Sequence, residues 1–138
     1  MTGIFQHAID AKGRLFIPAR LREELGDIFY VTISMEKCLW AHSLDNWQKL
    51  VTKIGAMSKA QQIRMRPLFA HATKCELDGQ GRILLTKELR DRVGLKSNVT
   101  VVGAGEWVEF WDSETWAPID EVEAALENMA QVFMELDI

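Results

Sequence analysis

Asp10-Ala11-Lys12-Gly13-Arg14 returns 68 residues later as Asp78-Gly79-Gln80-Gly81-Arg82, and its surroundings return with it. Leu15 and Ile17 recur as Ile83 and Leu85, Leu21-Arg22 as Leu89-Arg90, and Val31 as Val99. An internal repeat of this length constrains the fold more than any local pattern, because each copy must bury its apolar face in a similar way. Two copies are too few for a solenoid. The pattern predicts one half-domain used twice and packed about a pseudo-twofold axis.

Local chemistry within the copies is consistent. Phe5, His7 and Ile9 alternate with Gln6 and Ala8, and Leu15 and Ile17 alternate across Phe16, which reads as two strands flanking a turn. Asp at the first turn position and Gly at the fourth suit a type I turn, and the Asp carboxylate can accept backbone N–H bonds two residues on. Both copies are therefore expected to be β-hairpin tips, with Gly13 and Gly81 forming the turns and Arg14 and Arg82 held beside them. A short helix should follow each tip. Pro18 suits the first helical position of one and Gly26 its end; Thr86 suits the N-cap of the other and Gly94 its end.

Further strands are expected at Phe29–Ser34 and Cys38–Ala41, and again at Val99–Val102 and Trp107–Trp111, on β-branched and aromatic content. Ser43 with Trp47 and Ser113 with Trp116 end the two copies, so the repeat needs a small insertion or deletion near its end. Leu44, Trp47, Leu50, Val51 and Ile54 follow helical spacing up to Gly55. Ser58 can cap a second helix running toward Phe69, which Pro67 should break or kink. Val122, Ala125, Leu126, Met129 and Phe133 share one side of a final helix. The chain thus reads as one two-lobed domain over residues 1–138. Its first repeat spans 5–54 and its second 74–118, and an acidic C-terminal helix occupies 119–138.

The net charge of −4 is unequally distributed. Residues 1–105 hold all 16 Lys and Arg with 10 acids, giving +6; residues 106–138 hold the other 10 acids and no Lys or Arg, giving −10. A basic face is therefore compatible with an acidic chain. No basic-apolar leader and no apolar run near 18 residues is seen, which predicts a soluble cytoplasmic protein with no membrane contact. Cys38 and Cys75 form no CxxC, and His7, His42 and His71 do not join them at zinc spacing; reduced structural thiols and no metal are expected.

Enzyme motifs are absent: no GxSxG, HExxH or P-loop occurs, and Gly103-Ala104-Gly105 precedes no helix and reads as a hairpin turn. Asp10 and Asp78 are accounted for by the turns without catalysis. No enzyme activity, cofactor or small-molecule substrate is expected. The arginines carry more information. Arg14 and Arg82 occupy equivalent tip positions, and Arg22 and Arg90 equivalent helix positions. An Arg fork can bind phosphate oxygens or the O6 and N7 edge of guanine, and a β-element is narrow enough for the major groove. The competing explanation is that each Asp-Arg pair is only a surface ion pair worth about 0–1 kcal/mol. Candidate DNA-binding residues are Asp10, Lys12, Arg14, Arg22, Asp78, Arg82 and Arg90. Gln80 stands where the first copy has Lys12, so the two tips should bind unequally. The five tryptophans are expected in the core or an oligomer interface, and those at 107, 111 and 116 lie among Glu106, Glu109, Asp112 and Glu114.

The motifs Ile9-Asp10-x-Lys12-Gly13-Arg14-Leu15-x-Ile17-Pro18, Leu68-Phe69-Ala70, Leu77-Asp78-x-Gln80-Gly81-Arg82-Ile83, Val102-Gly103 and Glu109-x-Trp111-Asp112, together with Gly3, Cys38-Leu39, Trp47, Leu89-Arg90 and Trp116, resemble those of the MraZ family of bacterial transcriptional regulators. The likeness runs through nearly the whole chain. It implies an α+β, mainly β fold: a swapped-hairpin β-barrel of the AbrB type, both halves supplied by one chain, with flanking helices. It implies ring-shaped homo-oligomers that bind direct repeats in double-stranded promoter DNA. The gene cluster implied is that of division and the cell wall, commonly including the regulator's own gene. The Asp-x-x-x-Arg motif of the family maps onto Asp10 with Arg14 and onto Asp78 with Arg82. Thr86 departs from the proline of the first copy, and Pro67 is an added proline in the mid-chain helix. The expectation is a cytoplasmic, nucleoid-associated DNA-binding regulator. The rival is a ring-forming scaffold that binds protein partners through its acidic C-terminal helix.

Overall fold

The computed structural model describes residues 1–121 and 123–137. The chain is α+β and mainly β in its core, in the order β1 (Ile4–Ala8), β2 (Arg14–Phe16), α1 (Ala19–Leu25), β3 (Ile28–Ile33), β4 (Cys38–Ser43), α2 (Leu44–Gly55), α3 (Lys59–Arg64) and α4 (Arg66–Ala70). There follow β5 (Thr73–Glu76), β6 (Arg82–Leu84), α5 (Lys87–Val93), β7 (Asn98–Gly103), β8 (Val108–Asp112), α6 (Ser113–Glu121) and α7 (Glu123–Glu135).

Strand pairing crosses between the copies. β1 pairs with β7 and β5 with β3, so each copy sends its first strand to the other copy's sheet. β2 pairs with β6, with Leu15 opposite Ile83. The tips are hairpin turns, as expected, and the exchange of their outer arms is the swapped-hairpin arrangement that the resemblance implied. Each turn closes tightly, and in the first a single bridge joins Ile9 to Leu15, but beyond that point the two arms part to different partners. The physical reason is symmetry: a strand that can pair within its own copy can make the same ladder with the equivalent edge of the other, and the exchange interlocks the halves. The resulting sheet, in order β1-β7-β8-β4-β3-β5, has six strands, with β2-β6 as a separate ribbon. The swapped hairpin is present, but the strands do not close into one barrel.

Register also corrects the repeat. Ala8 lies opposite Asn98 and Glu76 opposite Ile28, so Asn98 takes the place of Ile28 and Val99 that of Phe29, not of Val31. The spacing therefore lengthens from 68 to 70 after the helix, where Gly94–Ser97 replaces the shorter Gly26–Asp27 connection. It shortens to 69 through the next hairpin, where Asp112 lies opposite Val99 as Ser43 lies opposite Phe29.

The core spans both copies. Leu15, Ile17, Leu21 and Leu25 meet Ile83, Leu85, Leu89 and Val93, the same four positions used twice, with Phe29, Val31, Val101 and Phe110 beneath them. Each such side chain contributes about 1.5–3 kcal/mol on burial. A second cluster of Trp47, Ile54 and Leu68 seats α2 and α4 against the sheet, with Tyr30 stacked on Trp47 at 4.7 Å. Trp47 and Trp111 are buried; Trp40, Trp107 and Trp116 are half-buried. Glu109, itself buried, accepts from both the Trp107 and Trp111 indoles, at 3.1 and 3.0 Å.

Helix ends follow the local chemistry with small shifts. Pro18 is the residue before α1 rather than its first member, with an extended ψ of 139°. Thr86 accepts from the Leu89 N–H and Ser43 from the Asn46 N–H. Ser58 and Gln61 form a reciprocal capping box. The mid-chain helix breaks at Met65, and Pro67 sits in the first turn of α4, where its missing N–H costs nothing. At the C-terminal end helix begins at Ser113, ahead of the expected Ile119, and α6 accommodates Pro118 in its interior. Val122, expected on the apolar side, lies outside the described residues. Cys38 and Cys75 are free and buried, and desolvation pushes their thiols up to about 12 and about 11.

Candidate nucleic-acid interface

Each turn is built on one carboxylate. Asp10 Oδ1 accepts the N–H of Lys12 at 3.0 Å and of Arg14 at 2.9 Å, while Oδ2 accepts Arg14 Nε at 2.7 Å. Asp78 repeats the pattern with Gln80 N–H at 2.8 Å, Arg82 N–H at 3.0 Å and Arg82 Nε at 3.0 Å. Backbone bonds from Gly13 to Asp10 and from Gly81 to Asp78, both 3.0 Å, close the turns. The Arg14 N–H holds the Asp10 carboxyl below its ordinary range against a smaller desolvation, and the Arg14 side chain and Lys12 N–H add to it. The Arg82 N–H does the same for Asp78, followed by the Gln80 N–H and the Arg82 side chain.

The same bonds orient the arginines. Each guanidinium is fixed through Nε, and its terminal nitrogens donate no hydrogen bond to a described residue. The forks therefore keep their outward edge for a ligand, which is the edge that meets phosphate or guanine. The two turns also touch. Arg82 Nη1 lies 4.0 Å from Asp10 Oδ2, so residues 72 positions apart share one surface. The side chains of Arg14 and Arg82 remain 36% and 27% exposed there.

Arg22 and Arg90 occupy equivalent positions in α1 and α5, and each reaches across to the other copy's turn. Arg90 packs across Gly13 and donates from Nε to the Leu85 carbonyl at 3.2 Å. Arg22 packs across Gly81, with its guanidinium carbon 5.1 Å from the centre of the Phe16 ring. Each helix arginine thus lies over the other copy's turn. Reciprocal backbone bonds brace the same crossing: Ile17 N–H to the Gly81 carbonyl at 2.9 Å, and Leu85 N–H to the Gly13 carbonyl at 2.8 Å. A Cβ on Gly13 would stand 2.7 Å from the Leu85 carbonyl, which is why the turn closes only over glycine.

Lys12 is exposed at its turn, and Gln80 at the other. Seven candidate residues therefore meet on one surface, five cations against two aspartates. Two further members, which charge spacing could not reveal, are Phe16 and Leu84. Cross-strand pairing sets Arg14 opposite Leu84 and Phe16 opposite Arg82, and alternation puts all four on the ribbon face away from buried Leu15 and Ile83. Among the described residues no three metal-ligating side chains cluster, and no helix is long and apolar enough to cross a membrane.

Comparison with known proteins agrees with the repeat and with the motif. The family model described as "MraZ protein, putative antitoxin-like" matches residues 1–66 and again residues 68–133. A relative from Heliobacterium modesticaldum is 39% identical over 99% of this chain and 98% of its own length. One from Symbiobacterium thermophilum is 45% identical over 86% and 88%, and one from Ligilactobacillus salivarius 38% identical over 99% and 98%. All three carry the name transcriptional regulator MraZ, a family of regulators and not of enzymes. With both halves matched and relatives aligned nearly end to end, the chain belongs to the MraZ family.

Proposed function

We propose that this protein is a cytoplasmic, nucleoid-associated transcriptional regulator that binds double-stranded DNA through its paired Asp-x-x-x-Arg turns. The observation that carries this is the adjacency of two carboxylate-anchored arginines whose terminal nitrogens donate no hydrogen bond to a described residue. Arg14 and Arg82 address base edges or phosphates, Lys12 adds a phosphate contact at one tip only, and Arg22 and Arg90 join the same surface while bracing the turns across Gly81 and Gly13. A bidentate Arg–guanine contact contributes about 1–3 kcal/mol of discrimination. The acidic balance does not oppose binding, since it is carried by residues 106–138 and not by this surface.

One protomer presents few cations, so tight binding calls for several copies acting together on spaced sites. A ring of protomers reading direct repeats in a promoter meets that need. The targets that the family resemblance implies are the division and cell-wall cluster and this protein's own promoter.

Fluorescence anisotropy against the DNA upstream of its own gene tests the reading. Binding should fall steeply with salt, and the Arg14→Ala/Arg82→Ala protein should lose it while circular dichroism shows an unchanged fold. A folded double variant that binds as wild type would place the DNA surface elsewhere.

A further inference from the structure

The β2–β6 ribbon turns one aliphatic side chain outward among its arginines. Leu84 is 59% exposed, whereas Leu15 and Ile83 on the other face of the ribbon are buried. A single exposed leucine needs no explanation in itself. Leu84 is set apart by its place: it lies directly opposite Arg14, two residues after Arg82, on the face that carries both arginines. Its counterpart in the first copy, Phe16, is already engaged. The Phe16 ring centre lies 5.1 Å from that of His7 and 5.1 Å from the Arg22 guanidinium carbon, so the ring helps to hold Arg22 over the second turn. Arg90 is held instead by the Leu85 carbonyl. Leu84 has no such task, and it belongs to neither apolar cluster of the core.

The chemistry of a duplex offers this side chain one match. In the major groove, which admits a two-stranded ribbon, the base edges are hydrogen-bonding groups except for the C5-methyl of thymine. Against a phosphate, a leucine would only dehydrate the anion, at a cost. Side chains paired across two strands have Cβ atoms about 4.5–5.5 Å apart, and successive bases along a strand rise about 3.4 Å. With Arg14 on the O6 and N7 edge of a guanine, Leu84 therefore reaches about one base step away.

We propose that Leu84 is a specificity-determining residue that reads the C5-methyl of a thymine beside the guanine held by Arg14. The inference rests on the paired turns being the DNA surface and deepens that reading by naming a base that the arginines do not select. The two halves of the surface then differ in what they read as well as in charge. Lys12 and Arg14 stand with a free aliphatic side chain across the ribbon, and Gln80 and Arg82 with a ring engaged by Arg22.

Deoxyuridine in place of thymine removes that methyl and leaves the hydrogen-bonding groups of the base unchanged. Fluorescence anisotropy on the DNA upstream of the protein's own gene, made with thymine or with deoxyuridine throughout, therefore tests the contact. Wild type should bind the thymine DNA more tightly, by about fourfold for each methyl taken out of water. Leu84→Ala should bind both DNAs alike, Leu84→Met should keep the preference, and circular dichroism should be unchanged in both. The inference is overturned if wild type binds the two DNAs equally, or if folded Leu84→Ala keeps the wild-type preference. Arg14→Ala/Arg82→Ala separates this inference from the reading it rests on, and should lose both DNAs. If it does while wild type ignores the methyl, only the role of Leu84 is refuted. If it binds both DNAs as wild type does, the turn surface is refuted and the inference falls with it.

Discussion

Replacing Gly13 by alanine should damage the protein more than the same change at either neighbouring glycine of the second turn. Gly13 has φ +87°, on the side of the backbone map that L-residues avoid at about 1–2 kcal/mol. Its added Cβ would meet the Leu85 carbonyl at 2.7 Å, and Leu85 donates its own N–H back to the Gly13 carbonyl at 2.8 Å. Main chain cannot swing aside as a side chain can, so relief requires parting the crossing and weakening that bond, about 1 kcal/mol more. The expected loss is roughly 2–3 kcal/mol. At roughly 2.1 cal/mol/K of unfolding entropy per residue, 138 residues convert this to a Tm drop of about 7–10 °C. Gly81, φ +76°, would meet the Arg22 guanidinium and the Phe16 ring edge, which can move, so the backbone cost of about 1–2 kcal/mol stands nearly alone. Gly79 has nothing within 4 Å and no positive φ, and alanine there should be neutral or slightly stabilising, by about 0.4–1 kcal/mol at most. Thermal melts at one fixed protein concentration give the order. Equal losses for Gly13→Ala and Gly81→Ala, or a larger loss at Gly79, would refute the claim that close backbone approach decides the cost.

Acid should loosen the turns first. Asp10 and Asp78 have folded pKa values below the ordinary range, so the stability they contribute is present at neutral pH and down to the unfolded value. It is lost as pH falls below about 4 through the lowered folded values. Urea midpoints measured against pH should show that decline, and Asp10→Asn/Asp78→Asn should flatten it; an unchanged acid slope would show that other carboxylates carry it. Thr86→Ala removes the side-chain acceptor for the Leu89 N–H and should cost about 1 kcal/mol by denaturant unfolding, with a null result implying that α5 is held by packing alone. Leu21→Ala and Leu89→Ala occupy equivalent buried positions at 1% and 2% exposure and should cost alike, about 2–5 kcal/mol each. Strongly unequal losses in the same melts would mean that the halves do not share one core symmetrically.

Much of this protein is determined within a few residues of chain. The turn carboxylates act on N–H groups two and four positions on, and Thr86, Ser43 and Ser58 act three positions on. Such contacts are visible in the order of residues, as is the repetition that pairs Arg14 with Arg82. Partner choice among strands is different. The ladder made by β1 is as available within its copy as across copies, and only the packed whole selects β7; local pattern reads the hairpin tips, while the exchange of their arms came only from the family resemblance. The shift in spacing to 70 and then 69 lies in two loops, where length is free until the sheet fixes a register. Tertiary structure alone brings Arg82 to Asp10 and lays Arg22 and Arg90 over each other's turns, across gaps of about 60–80 residues that no local rule spans. The sequence by itself determined what each turn is made of; the fold decided that the two turns form one surface, because adjacency between distant residues comes from packing and not from spacing.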